Sequence, residues 1–242
     1  MQPELRPVPN NDSAFGRDAS GYAPATAAPS DSQKVLRNTY LLLALTMVPT
    51  LIGAVVGMST ASLVMQHPIM ISLGMLAVVI GLQFAISANR DRGLGVALLL
   101  LMTGLLGWWL GPILTVALSL KNGPALVGYA AAGTGLVMAV MATIATTTKR
   151  DFSFMGKFLL VGMIVVLLAG IANMFLQMPV LSLAISSMAI VVFSLFLLYD
   201  LSRIVTGGET NYVMATTGVY LSLLNIFSSL LHLLMALTGE KD

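Results

Sequence analysis

Few side chains in this sequence can do chemistry, and most of them fall in one stretch near its end. Asp200 follows the apolar run 191–199, and Arg203 comes three residues later, on the same face of any helix that carries both. Ser222 and Asn225 follow within the next apolar run. An ionisable group inside an apolar segment is costly to keep, so Asp200 is a candidate for holding or exchanging a proton or a cation. The plainer alternative is a carboxylate at a membrane edge, paired with Arg203. Between the two runs lies the loop 206–211. Gly207 and Gly208 suit a left-handed helix end, and Glu209, Thr210 and Asn211 suit the start of the next helix, where acceptors meet free backbone N–H groups.

Other chemistries lack their residues. There is no cysteine and there are two histidines, His67 and His232, far apart in sequence, so no metal site is expected. His232, deep in the last apolar run, is read as a neutral, hydrogen-bonded side chain. An intramembrane aspartyl protease needs two acids to activate water, and only Asp200 is present. No nucleophile elbow, P-loop or dinucleotide fingerprint appears, so neither an enzyme nor a cofactor is expected.

The elements that carry these residues are dictated by composition. The chain has 242 residues, 57% hydrophobic and only 9% charged, too few polar groups to coat a soluble domain. Lipid must face the remainder. Seven runs approach the roughly 20 apolar residues that one crossing needs. They are 35–58, 68–88, 94–118, 124–147, 154–176, 180–205 and 212–237, within an all-α membrane domain over 34–242. The breaks between them carry Gly, Pro or charge. Residues 1–33, rich in Pro, Ala and Ser with no apolar run, read as a disordered cytosolic tail rather than a signal peptide.

Orientation follows from the 12 Lys and Arg residues. On one side fall Arg6, Arg17, Lys34 and Arg37, then Arg90 and Arg92, then Lys149, Arg150 and Lys157, and finally Arg203. Lys121 and Lys241 fall on the other. The crowded side is expected to be cytosolic, which puts the N-terminus inside and the C-terminus outside. Membrane lipid is thus an expected partner, and nucleic acid is not, because no basic stripe with interleaved aromatics exists. Small-residue pairs, Gly53 with Gly57 and Gly107 with Gly111, and more loosely Gly128 with Ala132, predict close helix packing inside the bundle, with a dimer interface as the alternative. Asn173, Asn225 and Gln83 are expected to bond across helices.

Tyr199-Asp-Leu-Ser-Arg-Ile-Val205, Gly207-Gly-Glu-Thr-Asn-Tyr212, Ala215-Thr216 and Tyr220-Leu-Ser-Leu-Leu-Asn-Ile-Phe227, together with Leu36-Arg-Asn-Thr-Tyr-Leu-Leu-Leu-Ala44, resemble the Bax inhibitor-1 family, and most closely its bacterial YccA-like branch. The resemblance implies a seven-helix bundle with the seventh span central. It implies a multi-pass protein of the cell inner (plasma) membrane that binds and restrains the membrane AAA protease FtsH. The channel-like branch instead implies a pH-sensitive calcium or cation leak, latched by two aspartates that share a proton. Asp200 matches the first of these. The second position falls on Ser222, which weakens that alternative.

Overall fold

The computed structural model describes residues 29–148 and 150–238. Among them, every regular element is helical. The helices are α1 (Pro29–Ser59), α2 (Ala61–Gln66), α3 (Pro68–Ala88), α4 (Gly93–Leu118), α5 (Gly123–Thr148), α6 (Gly156–Leu176), α7 (Pro179–Thr206) and α8 (Tyr212–Thr238), with a single 3₁₀ turn at Ser153–Met155 before α6. All but α2 are long and apolar enough to cross a membrane, so the seven expected spans are present.

Two boundaries depart from the sequence reading. First, α1 begins at Pro29, where a fixed φ suits the first helical position. Residues 29–33 therefore belong to a helix, while 1–28 of the expected tail, Lys149 and 239–242 lie outside the described residues. Second, the break after the first span is itself the short helix α2, whose Ala61 and Val64 turn inward. The indole N–H of Trp108 in α4 donates to the hydroxyl of Thr60 just before it, 2.9 Å away.

The outward faces of the bundle are apolar. Phe84, Phe158 and Val180 are each about three-quarters exposed. α3 and α6 bury one side chain each, Ile86 and Leu159. A surface of this kind is stable only against hydrocarbon, so the chain is an integral membrane protein. The interior is organised by α8, which packs on α1, α3, α4, α5 and α7. The main core cluster includes Leu99, Ile204, Val213 and Tyr220, and a smaller one gathers Ala117, Leu126, Ala130 and Leu231. The central place expected for the seventh span is thus occupied by α8.

The closest contact in the bundle joins α1 to α4. A Cβ added at Gly53 would collide with the carbonyl of Gly104, at Gly57 with that of Trp108, and at Gly107 with that of Thr50. A Cβ at Gly111 would collide with Gly57 itself. The two backbones touch, with no side chains between them. Pro112 contributes to this, because it has no N–H for the carbonyl of Trp108 four residues earlier, and that free carbonyl is the one facing Gly57. These two glycine pairs therefore serve internal packing. Gly128 meets nothing within 4 Å, and its motif takes no part in the bundle.

Where α1, α4 and α8 converge, the phenol of Tyr220 is buried. It lies 2.8 Å from the Thr50 hydroxyl and 3.3 Å from the carbonyl of Thr103. Thr50 in turn donates to the carbonyl of Thr46 at 2.7 Å. Each polar atom in this knot has a partner inside the protein, as the hydrocarbon requires.

Candidate functional site

The loop between α7 and α8 is built by local chemistry. Gly207 ends α7 in the left-handed region, at φ 79°, and its N–H returns to the carbonyl of Ile204. The N–H of Glu209 reaches back to the carbonyl of Arg203 at 3.0 Å. Of the two glycines, only Gly207 needs the special conformation; Gly208 has ordinary space around it and no positive φ. Asn211 then caps α8, its Oδ1 accepting from the N–H groups of Val213 and Met214 at 3.0 and 3.1 Å. Its Nδ2 donates to the carbonyl of Arg90 and to Asp91 Oδ1, at 3.1 and 2.8 Å. One residue thus caps a helix and fastens the α7–α8 loop to the α3–α4 loop. At the opposite end of the bundle, Asn122 Nδ2 donates to the carbonyl of Thr238 at 2.7 Å, joining the α4–α5 loop to the end of α8. The two ends alternate as the seven-span layout requires.

Arg203 does not pair with Asp200. Its Nη2 donates to Glu209 Oε2 at 3.2 Å and to the carbonyl of Gly208 at 3.3 Å, and its guanidinium lies over the Tyr199 ring, 5.5 Å from the centroid. Glu209 also accepts from the N–H of Asn211 at 3.0 Å, so the acid joins the end of α7 to the start of α8. Tyr199 packs its ring over Gly156 of α6, where a Cβ would lie 3.0 Å from it.

Asp200 instead lies against α8. A Cβ built on Gly218 would sit 2.6 Å from Asp200 Oδ2 and 3.0 Å from its Cγ. The carboxyl group therefore fits into a notch that only glycine leaves open. Among the described residues it makes no hydrogen bond and no ion pair. Ser222 lies one turn further along α8 and is buried. Asn225, a further turn on, spends its amide on the carbonyl of Leu221 in its own helix at 2.8 Å. The four residues singled out from sequence are thus divided. Asp200 sits in the α7–α8 seam, Ser222 is buried one turn beyond Gly218, Arg203 turns from the end of α7 to the loop, and Asn225 is satisfied locally.

The expected cross-helix amide bonds are corrected in the same way. Asn225 bonds within α8, and Asn173 Oδ1 accepts from the N–H of Met178 at the turn from α6 to α7, 3.1 Å away. Gln83 makes no hydrogen bond among the described residues. Gln83 and Asn225 lie in interiors where a backbone carbonyl of the same helix, or none, is the nearest partner. His232 is hydrogen-bonded as expected, with Nε2 3.1 Å from Ser182 Oγ. Outside the spans, Asp151 accepts from the N–H of Ser153 at 2.8 Å, and the side-chain and backbone bonds from Ser153 hold its carboxyl below the ordinary carboxylate range. That contribution is present above the ordinary range and is lost as the pH falls through the lowered value.

Gly218 and the Tyr220 knot were missed at the sequence level. The available signal was a glycine and a tyrosine inside an apolar helix, at positions where neither is needed for the helix itself. Comparison with known proteins places this architecture. The family model described as "Inhibitor of apoptosis-promoting Bax1" matches residues 32–239. The chain is 42% identical, over 206 residues, to the Escherichia coli K12 protein named "Modulator of FtsH protease YccA", covering 84% of this chain and 90% of that one. It is 40% identical over 204 residues to a membrane protein of Vibrio cholerae, with the same shares. With a Pseudomonas aeruginosa protein it shares 36% over 218 residues, 90% of this chain and 96% of the other.

Proposed function

Since the chain belongs to the Bax inhibitor-1 family, we propose that it is a non-enzymatic inner-membrane regulator that binds the membrane AAA protease FtsH and restrains its action on membrane substrates. The observation that carries this is the likeness, along nearly the whole membrane domain, to a relative named for that modulation. The positive-inside bias orients the chain with its N-terminus in the cytosol, where the protease's unfolding domain works.

The fold suggests how binding turns into restraint. Residues 1–28 precede α1, and by composition they are the kind of segment an unfoldase can grip. A pull on them is delivered first to α1, the helix whose backbone is pressed against α4. The first extraction step therefore meets the tightest contact in the bundle. A chain that is engaged readily and extracted slowly occupies the protease and so slows its other work. Copurification of the full chain with FtsH, compared with a variant lacking residues 1–28, tests the reading. The shortened protein should insert normally but copurify less and be degraded more slowly. Copurification and turnover unchanged by the deletion would remove the tail from the mechanism, and no copurification by either form would remove the protease.

The second reading is a calcium, cation or proton leak. It is favoured by one feature, the Asp200 carboxyl seated on Gly218 without an ion-pair partner. Ser222 in place of a second acid weighs against the paired latch, since a coupled titration needs two ionisable groups. Calcium-indicator liposomes holding the purified protein or Asp200→Asn decide it, because equal flux from both removes Asp200 from any leak.

A further inference from the structure

We infer that the cleft between the end of α6, the start of α7 and the outer part of α8 is a binding site for a phospholipid headgroup at the end of the bundle opposite the arginine-bearing loops. The cleft measures about 480 Å³. Its polar side chains are Asn173, Gln177, Ser182 and His232, and its apolar wall includes Leu183 and Ala236.

Three observations converge on this occupant. The first is direction. Ionisable and imidazole groups in spanning helices ordinarily face the bundle interior, yet His232 is exposed on the outside of the bundle. A polar ring pointing outward at this depth is stable only if polar matter meets it there. The second is depth. His232 lies six residues before the end of α8, roughly 9 Å along the axis. A 27-residue helix is about 40 Å long against a hydrocarbon core of about 30 Å, so about 5 Å at each end lies in the interface and His232 sits just inside it, at the level where a phospholipid's glycerol esters give way to its acyl chains. The third is the balance of donors. Asn173 Oδ1 is occupied by the N–H of Met178, which can only donate, so the amide nitrogen of Asn173 is the atom left over. Gln177 keeps its side-chain amide free of protein partners among the described residues. Ser182 and His232 share one hydrogen bond at 3.1 Å, which leaves the second ring nitrogen available. The cleft thus offers N–H donors beside an apolar wall. Phosphodiester and ester oxygens, which only accept, joined to an acyl chain, match both halves.

Native mass spectrometry of the full chain released from nanodiscs of phosphatidylglycerol and phosphatidylethanolamine tests this. Wild type should retain bound phospholipid. Ser182→Ala combined with His232→Leu should lower the retained fraction about fivefold, as loss of the shared polar contacts implies, and His67→Ala should leave it unchanged. A phospholipid carrying a diazirine next to the glycerol, applied to wild type alone, should label peptides containing 173–183 and 229–236, which keeps the test independent of how the variants fold. Equal retention by wild type and the double variant, labelling elsewhere, or displacement of the lipid by millimolar inorganic phosphate would overturn the assignment, the last by showing that a free anion is the ligand.

Discussion

Asp200 and Gly218 depend on each other. A methyl group on Gly218 has to push the carboxyl group out of its notch, and α7 and α8 are held together around that contact. Gly218→Ala should therefore destabilise the wild-type bundle but cost little in an Asp200→Ala background. A double-mutant cycle followed by unfolding in mixed micelles should give a coupling of about 0.5–3 kcal/mol, and additivity would show that the two do not touch. Asn211→Ala should cost about 1 kcal/mol from the lost cap alone, and should also free the α3–α4 loop, which proteolysis of that loop would report. The caps at Gly207 and Asn211 were legible in the sequence because they are set by residues within a few positions. The partner of Asp200 was not, because local spacing offers Arg203, and only the packing of α7 on α8 shows that Arg203 turns to Glu209 instead.

At the level of helices, α1 and α4 form the tightest seam. Leucine in place of Gly53 or Gly107 has to force the two backbones apart, at a cost of about 1–3 kcal/mol or more, whereas Gly128→Leu enters open space and should be nearly neutral. If extraction begins at α1, the first two variants should also be degraded faster than wild type in cells, and Gly128→Leu should not. Tyr220→Phe removes the phenol from the knot it shares with Thr50 and Thr103 and should cost about 1 kcal/mol in the same micelle assay. The helices were readable because each crossing must be long, apolar and punctuated. The motif glycines were visible too, but which pairs met each other was not, since Gly53, Gly107 and Gly128 look alike until the bundle assigns the first two to a shared seam and leaves the third outside it. The short helix α2 stayed hidden because six residues carry too little periodicity to separate a turn of helix from a break.

For the whole molecule, the asymmetry of Lys and Arg sets the layout, and every functional statement inherits it. Because the chain has no cysteine, single cysteines report sidedness without a background. Lys121→Cys should react with a membrane-impermeant maleimide added outside spheroplasts, and Arg92→Cys should react only after lysis; the reverse pattern would invert the topology. The family was also legible at this scale, since its motifs cluster in the loop and helix that organise the bundle. The proposed role was not, because regulation by binding would leave no catalytic signature in the residues. The most direct test is therefore to crosslink the full chain in native membranes and identify what is captured while following turnover of an FtsH membrane substrate. Capture of FtsH, with slower substrate turnover as the chain is raised in level, is the expected result. Capture of other proteins without FtsH, with turnover unchanged, would contradict the proposed role.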